Sequence, residues 1–155
     1  MLAGRTNFKD IMTATKHIIQ KNGSDCGIAA LAMLFDASYA SMKRLVMAYC
    51  SKHRHKFDGT TEDMDKAVAL KMGAEIRVWY FTNDNRDELA YRLQGRRAIL
   101  VVPAKGYPDG TELHAVYWDG RALFDPSPTQ RYGKDGRLAF SKALRARVLA
   151  SGDRE

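Results

Sequence analysis

The sequence predicts an α+β fold, on three observations. Helical apolar spacing dominates from residue 27 to about residue 72, β-rich segments dominate from residue 75 to about residue 125, and the two kinds follow one another instead of alternating as βαβ units would. No internal repeat, low-complexity tract or linker interrupts the chain, so residues 1–155 are expected to form one domain.

Residues 1 to about 25 read as a polar entry segment with a short helix around Phe8 to Thr15. Gly27 to Phe35, rich in Ala, Leu and Met, reads as a buried helix, and Ser41 to Cys50 as an amphipathic one with Met42, Leu45, Val46 and Tyr49 at helical spacing. A polar loop, Ser51 to Gly59, separates it from a third helix. There Thr60-Thr61-Glu62-Asp63 supplies a Thr-x-x-Asp arrangement like a capping box, and Gly73 closes the helix. Glu75 to Phe81 is expected to be a strand, Asn85 to Gln94 a short helix ended by Gly95, and the apolar run Arg97 to Pro103 a central buried strand. Two further strands flank Asp119-Gly120, and Ser141 to Leu149 reads as a basic amphipathic helix.

Composition narrows the function classes. A chain of 155 residues, 45% hydrophobic and 28% charged, has enough apolar surface for a real core. Two cysteines argue against a disulfide framework and fit a reducing compartment. No signal-peptide pattern and no apolar run of about 18 residues occurs, so a soluble, cytoplasmic protein without a membrane segment is expected. The net charge of +7 is spread over scattered basic residues with no nucleic-acid module motif and no phosphate-binding loop. A nucleic-acid partner is therefore not expected, and the charge reads as a solvated basic surface.

Cys26 follows a glycine- and polar-rich loop, Gln20-Lys-Asn-Gly-Ser-Asp25, and opens the apolar helix. There it faces unpaired backbone N–H groups and the positive end of the helix dipole, both of which favour thiolate, the nucleophilic form. By itself such a cysteine also fits a small buried hydrophobe. Asp25 beside it would oppose thiolate formation unless it points away as a helix cap, which is the expected role.

A two-residue Asp119-Gly120 turn would oppose Trp118 to Arg121 and, four pairs on, His114 to Asp125. Opposed residues share a face, so Asp125 would accept from the imidazole and fix its tautomer. An ordinary cross-strand polar pair is the other reading. Together the residues compose a mechanism: Cys26 as nucleophile, His114 as general base and then acid, Asp125 as its orienter, and Gln20 with the Cys26 N–H as oxyanion donors. No cofactor is expected. Cys50-x₂-His53-x-His55 is a weak metal candidate, because it lacks a fourth ligand and a usual zinc spacing.

Gln20-x₅-Cys26-Gly27, the Ala/Leu/Met helix after it, and the later His114 and Asp125-Pro126 resemble the papain-like cysteine peptidases that cleave double-glycine leaders from bacteriocin precursors. Asp58-Gly59-Thr60 before a helix, Gly73 after it and the apolar strand before the His strand occur in the same order, so the resemblance covers roughly residues 15 to 130. It implies a papain-like fold, N-terminal helices with Cys at a helix N-terminus packed on a small antiparallel sheet carrying His and Asp. It also implies a thiol hydrolase acting on a peptide or protein substrate through Gln20, Cys26, His114 and Asp125. The chain departs from the pattern at Ala115, where relatives usually have an aromatic residue, and in a hairpin expected to be shorter, and no ATP-driven exporter is expected to follow the domain. A free-standing peptidase, an isopeptidase and an acyl-transfer enzyme all fit. So does a catalytically inactive module of the same fold that binds a protein or polyanion.

Overall fold

A computed structural model of the chain describes residues 16–104, 112–129 and 132–150; the expected helix at Phe8 to Thr15 lies outside them. The described residues form an α+β arrangement with five helices and a five-stranded antiparallel sheet. Helix α1 (Cys26–Leu34) is buried from Gly27 to Leu34. Being apolar on every side, it has no solvent face and becomes the centre of a core. Helix α2 (Tyr39–Lys52) is capped by Ser38, whose hydroxyl accepts the Ser41 N–H at 3.1 Å, and it buries Met42, Val46 and Cys50 at four-residue intervals.

Helix α3 (Glu62–Lys71) is capped by Thr61, which accepts the Met64 N–H at 3.2 Å, one residue later than the Thr60 box predicts. Gly73 follows with φ 75°, the left-handed conformation that ends a helix without a Cβ clash. Strand β1 (Ile76–Tyr80), helix α4 (Arg86–Arg92), strand β2 (Ala98–Pro103) and strand β3 (Leu113–Trp118) come next. Strand β4 (Leu123–Phe124), helix α5 (Arg137–Lys142) and strand β5 (Arg145–Leu149) complete the order.

The sheet runs β1-β5-β2-β3-β4 with every neighbouring pair antiparallel. All six residues of β2 are buried, as its unbroken apolar run predicts for a strand covered on both faces. One face, through Ile99, Ala115 and Tyr117, packs on the cluster built by α1, α2 and α3. The other, through Leu100, Val116, Trp118 and Val148, packs on Leu89 of α4 and Phe140 of α5.

Two expectations are corrected. Residues Arg145–Leu149 are a strand, not the tail of a helix, and they lie between β1 and β2. Leu144 and Val148 carry a four-residue spacing that suits a helix, yet Ala146 and Val148 carry an equally good two-residue spacing. Two sheet partners decide for the strand, burying Ala146 and Val148 on one face and Arg147 on the other. Helix α5 accordingly stops at Lys142, and Ala143 is extended with φ −60° and ψ 139°.

The hairpin register also differs. Tyr117 opposes Phe124 and Trp118 opposes Leu123, so four residues connect the strands instead of two. The Asp119 carboxylate makes the longer turn by accepting the N–H groups of Arg121 and Ala122, each at 2.8 Å. A side-chain turn of this kind competes with the type I′ geometry expected of Asp-Gly.

Thr60 leaves no room beside the first turn of α1. A Cβ on Gly27 would fall 1.9 Å from the Thr60 hydroxyl oxygen and 2.8 Å from its Cβ. Gly to Ala inside a helix ordinarily stabilises by about 1 kcal/mol. Here Gly27→Ala is expected to destabilise by about 1–3 kcal/mol, the usual cost of overpacking, and Thr60→Gly in the same chain should recover most of the loss. Urea denaturation of the three proteins reads the sign directly.

Candidate active site

Cys26 is the first residue of α1, and its neighbour Asp25 occupies the N-cap position without making a side-chain cap bond. The buried Asp25 carboxylate turns back instead. It accepts the N–H groups of Lys21 at 3.2 Å and Asn22 at 2.9 Å, and the hydroxyl of Tyr39. The cap expected of Asp25 is thus replaced by a clasp on the loop before the helix. Burial, helped by the hydrogen bond and charge of Asp25, pushes the Tyr39 hydroxyl up to about 12, so it stays a donor.

His114 begins β3 with Leu113, at the end of the sheet that Pro103 of β2 also reaches. Its Nε2 meets Asp125 Oδ1 at 2.7 Å. The pair forms even though the hairpin is longer than a two-residue turn allows, because shifting the register by two residues preserves the face and turns a direct opposition into a diagonal one. Asp125 is fully buried, and it also accepts the N–H groups of Ser127 at 2.9 Å and Tyr132 at 3.1 Å. Burial works against its charge, but those donors and the imidazole win and hold the carboxyl below its ordinary range.

The Cys26 sulfur accepts the N–H of Ala115, the residue after His114, at 3.4 Å, and its interaction with the imidazole favours the protonated ring. With Nε2 committed to Asp125, the nitrogen left for the thiol is Nδ1. Burial disfavours imidazolium, yet the hydrogen bonds and charges of Asp125 and Cys26 outweigh it and raise His114 from 6.5 to about 9. A thiol beside an imidazole can pass it a proton, the chemistry that a nucleophilic cysteine uses.

Gln20 is tied to the same region through its backbone N–H, which donates to the Pro126 carbonyl at 2.8 Å. Its side-chain amide is turned onto its own loop, donating to the Asn22 carbonyl at 2.7 Å and the Gly23 carbonyl at 3.4 Å, while Oε1 is buried without a partner. Cys26 and His114 share the wall of a cavity of about 350 Å³. Gln20 lines a separate cavity of about 220 Å³, also bounded by His114. The structure therefore brings Cys26, His114 and Asp125 together and sets Gln20 beside His114 with its donors occupied.

Two neighbours escaped the sequence reading. Tyr132 stacks on His114, with ring centroids 6.3 Å apart and planes 19° from parallel, and its hydroxyl donates to the Pro103 carbonyl. His17 places Nε2 2.6 Å from the Asp125 carbonyl oxygen. Neither sits on a periodic segment, and only the turn after Asp125 brings Tyr132 to the imidazole. Of the metal candidates, Cys50 is buried in the helical core and His53 lies against the Tyr49 ring at a tilt of 33°. Among the described residues no three His, Cys, Asp or Glu side chains are grouped to hold a metal ion, and no helix is long and apolar enough to cross a membrane. No protein-family model matches the chain, and no curated protein matches it in sequence.

The pair makes stability depend on pH in a defined window. His114, raised in the folded state, contributes fully below 6.5 and loses its contribution as pH rises through about 9. Asp125, lowered in the folded state, contributes above 3.8 and loses its contribution as pH falls through its depressed value. Asp125→Asn should therefore destabilise most near pH 5–6, with the deficit shrinking toward pH 10, and should return the His114 titration seen by NMR from about 9 toward or below 6.5. An unchanged His114 titration would show that Asp125 does not hold the proton.

Proposed function

We propose that the chain is a cysteine peptidase of papain-like fold that hydrolyses a peptide or isopeptide bond. One observation carries the reading: an imidazole held by a fully buried carboxylate on one nitrogen, with a helix-start thiol against the next residue of its strand, on the wall of one cavity. Each residue then has a task. Cys26 attacks the scissile carbonyl as thiolate. His114 as imidazolium protonates the departing amine, then takes a proton from the water that hydrolyses the thioester. Asp125 keeps Nε2 protonated and the ring in plane throughout.

The tetrahedral oxyanion needs donors that are already aimed. The Cys26 N–H precedes the first helical hydrogen bond, which Ala29 donates to the Asp25 carbonyl, so it is free of the helix ladder. Gln20 supplies the second donor by giving up its 3.4 Å contact with Gly23, the weaker of its two loop bonds. The order of elements agrees with the resemblance, from Cys helix to His strand to Asp-Pro. The longer hairpin turn brings it nearer to those peptidases than the two-residue turn did.

Peptide and isopeptide libraries incubated with the protein and read by mass spectrometry should reveal one class of cleaved bond. Cys26→Ala should abolish that cleavage with the fold intact by circular dichroism, and Gln20→Ala should lower turnover by about 10²–10³. Cleavage at the parental rate by Cys26→Ala would refute the mechanism. A Gln20→Ala protein at full turnover would leave the oxyanion to backbone donors.

A further inference from the structure

The wall of the Cys26–His114 cavity holds a buried charge for which the hydrolytic reading has no use. Arg147, from β5, lines that cavity with a side chain only 6% exposed. Its Nη1 reaches Asp65 Oδ2 of α3 at 2.8 Å, but Nε of the arginine and Oδ1 of the aspartate are both buried without partners. Guanidinium and carboxylate that face each other fully make two parallel bonds. This pair makes one, so the guanidinium is not turned squarely to Asp65. Burial raises Asp65 to about 6 against the pull of Arg147 and the Thr60 hydroxyl. Breaking a buried charge pair is costly and an apolar pair in its place is often neutral or better, so stability alone gives little reason for an arginine here.

We propose that Arg147 is a specificity residue of this cavity, binding the carboxylate of an acidic group in the substrate beside the bond that is cleaved. The assignment rests on the cysteine-peptidase reading and names the substrate class for it. Asp58 and Glu112 also border the cavity and carry the opposite charge. Both are exposed, so water and salt screen them, whereas Arg147 acts through a low-dielectric wall. The buried cation therefore sets the preference inside the cavity and the exposed acids act at its mouth.

Two alkylating reagents of nearly equal size test it, because iodoacetate carries a carboxylate and iodoacetamide does not. Each is attacked by the Cys26 sulfur at carbon, forming C–S and expelling iodide. The quantity read is the ratio of the iodoacetate rate to the iodoacetamide rate at Cys26. In Asp65→Leu/Arg147→Met, which removes both charges and keeps apolar bulk, the ratio should fall about tenfold while the iodoacetamide rate stays within about twofold. In Asp65→Asn, which keeps the arginine and removes its counter-charge, the ratio should rise about threefold or more. Should the double variant fail to fold, Asp65→Asn alone decides. An unchanged ratio with a reactive Cys26 would overturn the role of Arg147 and leave the peptidase reading standing. A Cys26 in the parent protein no more reactive than Cys50 toward iodoacetamide would overturn both.

Discussion

The arrangement of this site depends on one carboxylate. Asp125 is fully buried, and a carboxylate taken out of water is expensive unless donors replace the water it loses. The structure supplies His114 Nε2 and the N–H groups of Ser127 and Tyr132, drawn from a strand end and from the loop after β4. Each is then fixed in turn. Ser127 closes a tight turn onto the aspartate, Tyr132 brings its ring onto the imidazole, and the imidazole is left with one nitrogen for Cys26. Remove the negative charge and the reason for that convergence goes with it.

A second carboxylate does comparable work on the other side of the thiol. Asp25 is buried and clasps Lys21, Asn22 and Tyr39, which fixes the loop leading into α1. Its charge is thereby met by donors of the preceding loop and of α2, although the carboxylate adjoins Cys26 in the chain. Thr60 completes the frame by filling the space a Cβ on Gly27 would need. Loop and helix start are each held by contacts that do not involve the Cys26 sulfur.

Much of this was legible in the chain. The apolar run after Asp25 could only be a core helix, and the run from Ala98 to Pro103 could only be a covered strand, because each has a single way to hide its side chains. The His114–Asp125 contact was legible for a partly different reason than the true one, since face parity survives a two-residue shift while direct opposition does not. What stayed hidden depends on tertiary partners. Arg145–Leu149 satisfies helical and strand spacing equally, and only its place between β1 and β2 chooses. The hairpin length turned on where the Asp119 carboxylate sends its hydrogen bonds, and Arg147 looked like one more surface cation until Asp65 and the cavity wall came to meet it.

The proposed mechanism requires Cys26 and His114 to share a proton as a thiolate–imidazolium pair. The most direct measurement is the iodoacetamide labelling rate of Cys26 and Cys50 as a function of pH, in the parent protein and in His114→Ala. A shared proton gives fast labelling of Cys26 that persists well below pH 8, slow labelling of the buried Cys50, and loss of the low-pH reactivity in His114→Ala. Labelling of Cys26 that follows an ordinary thiol near 8.5 and ignores His114→Ala would contradict it.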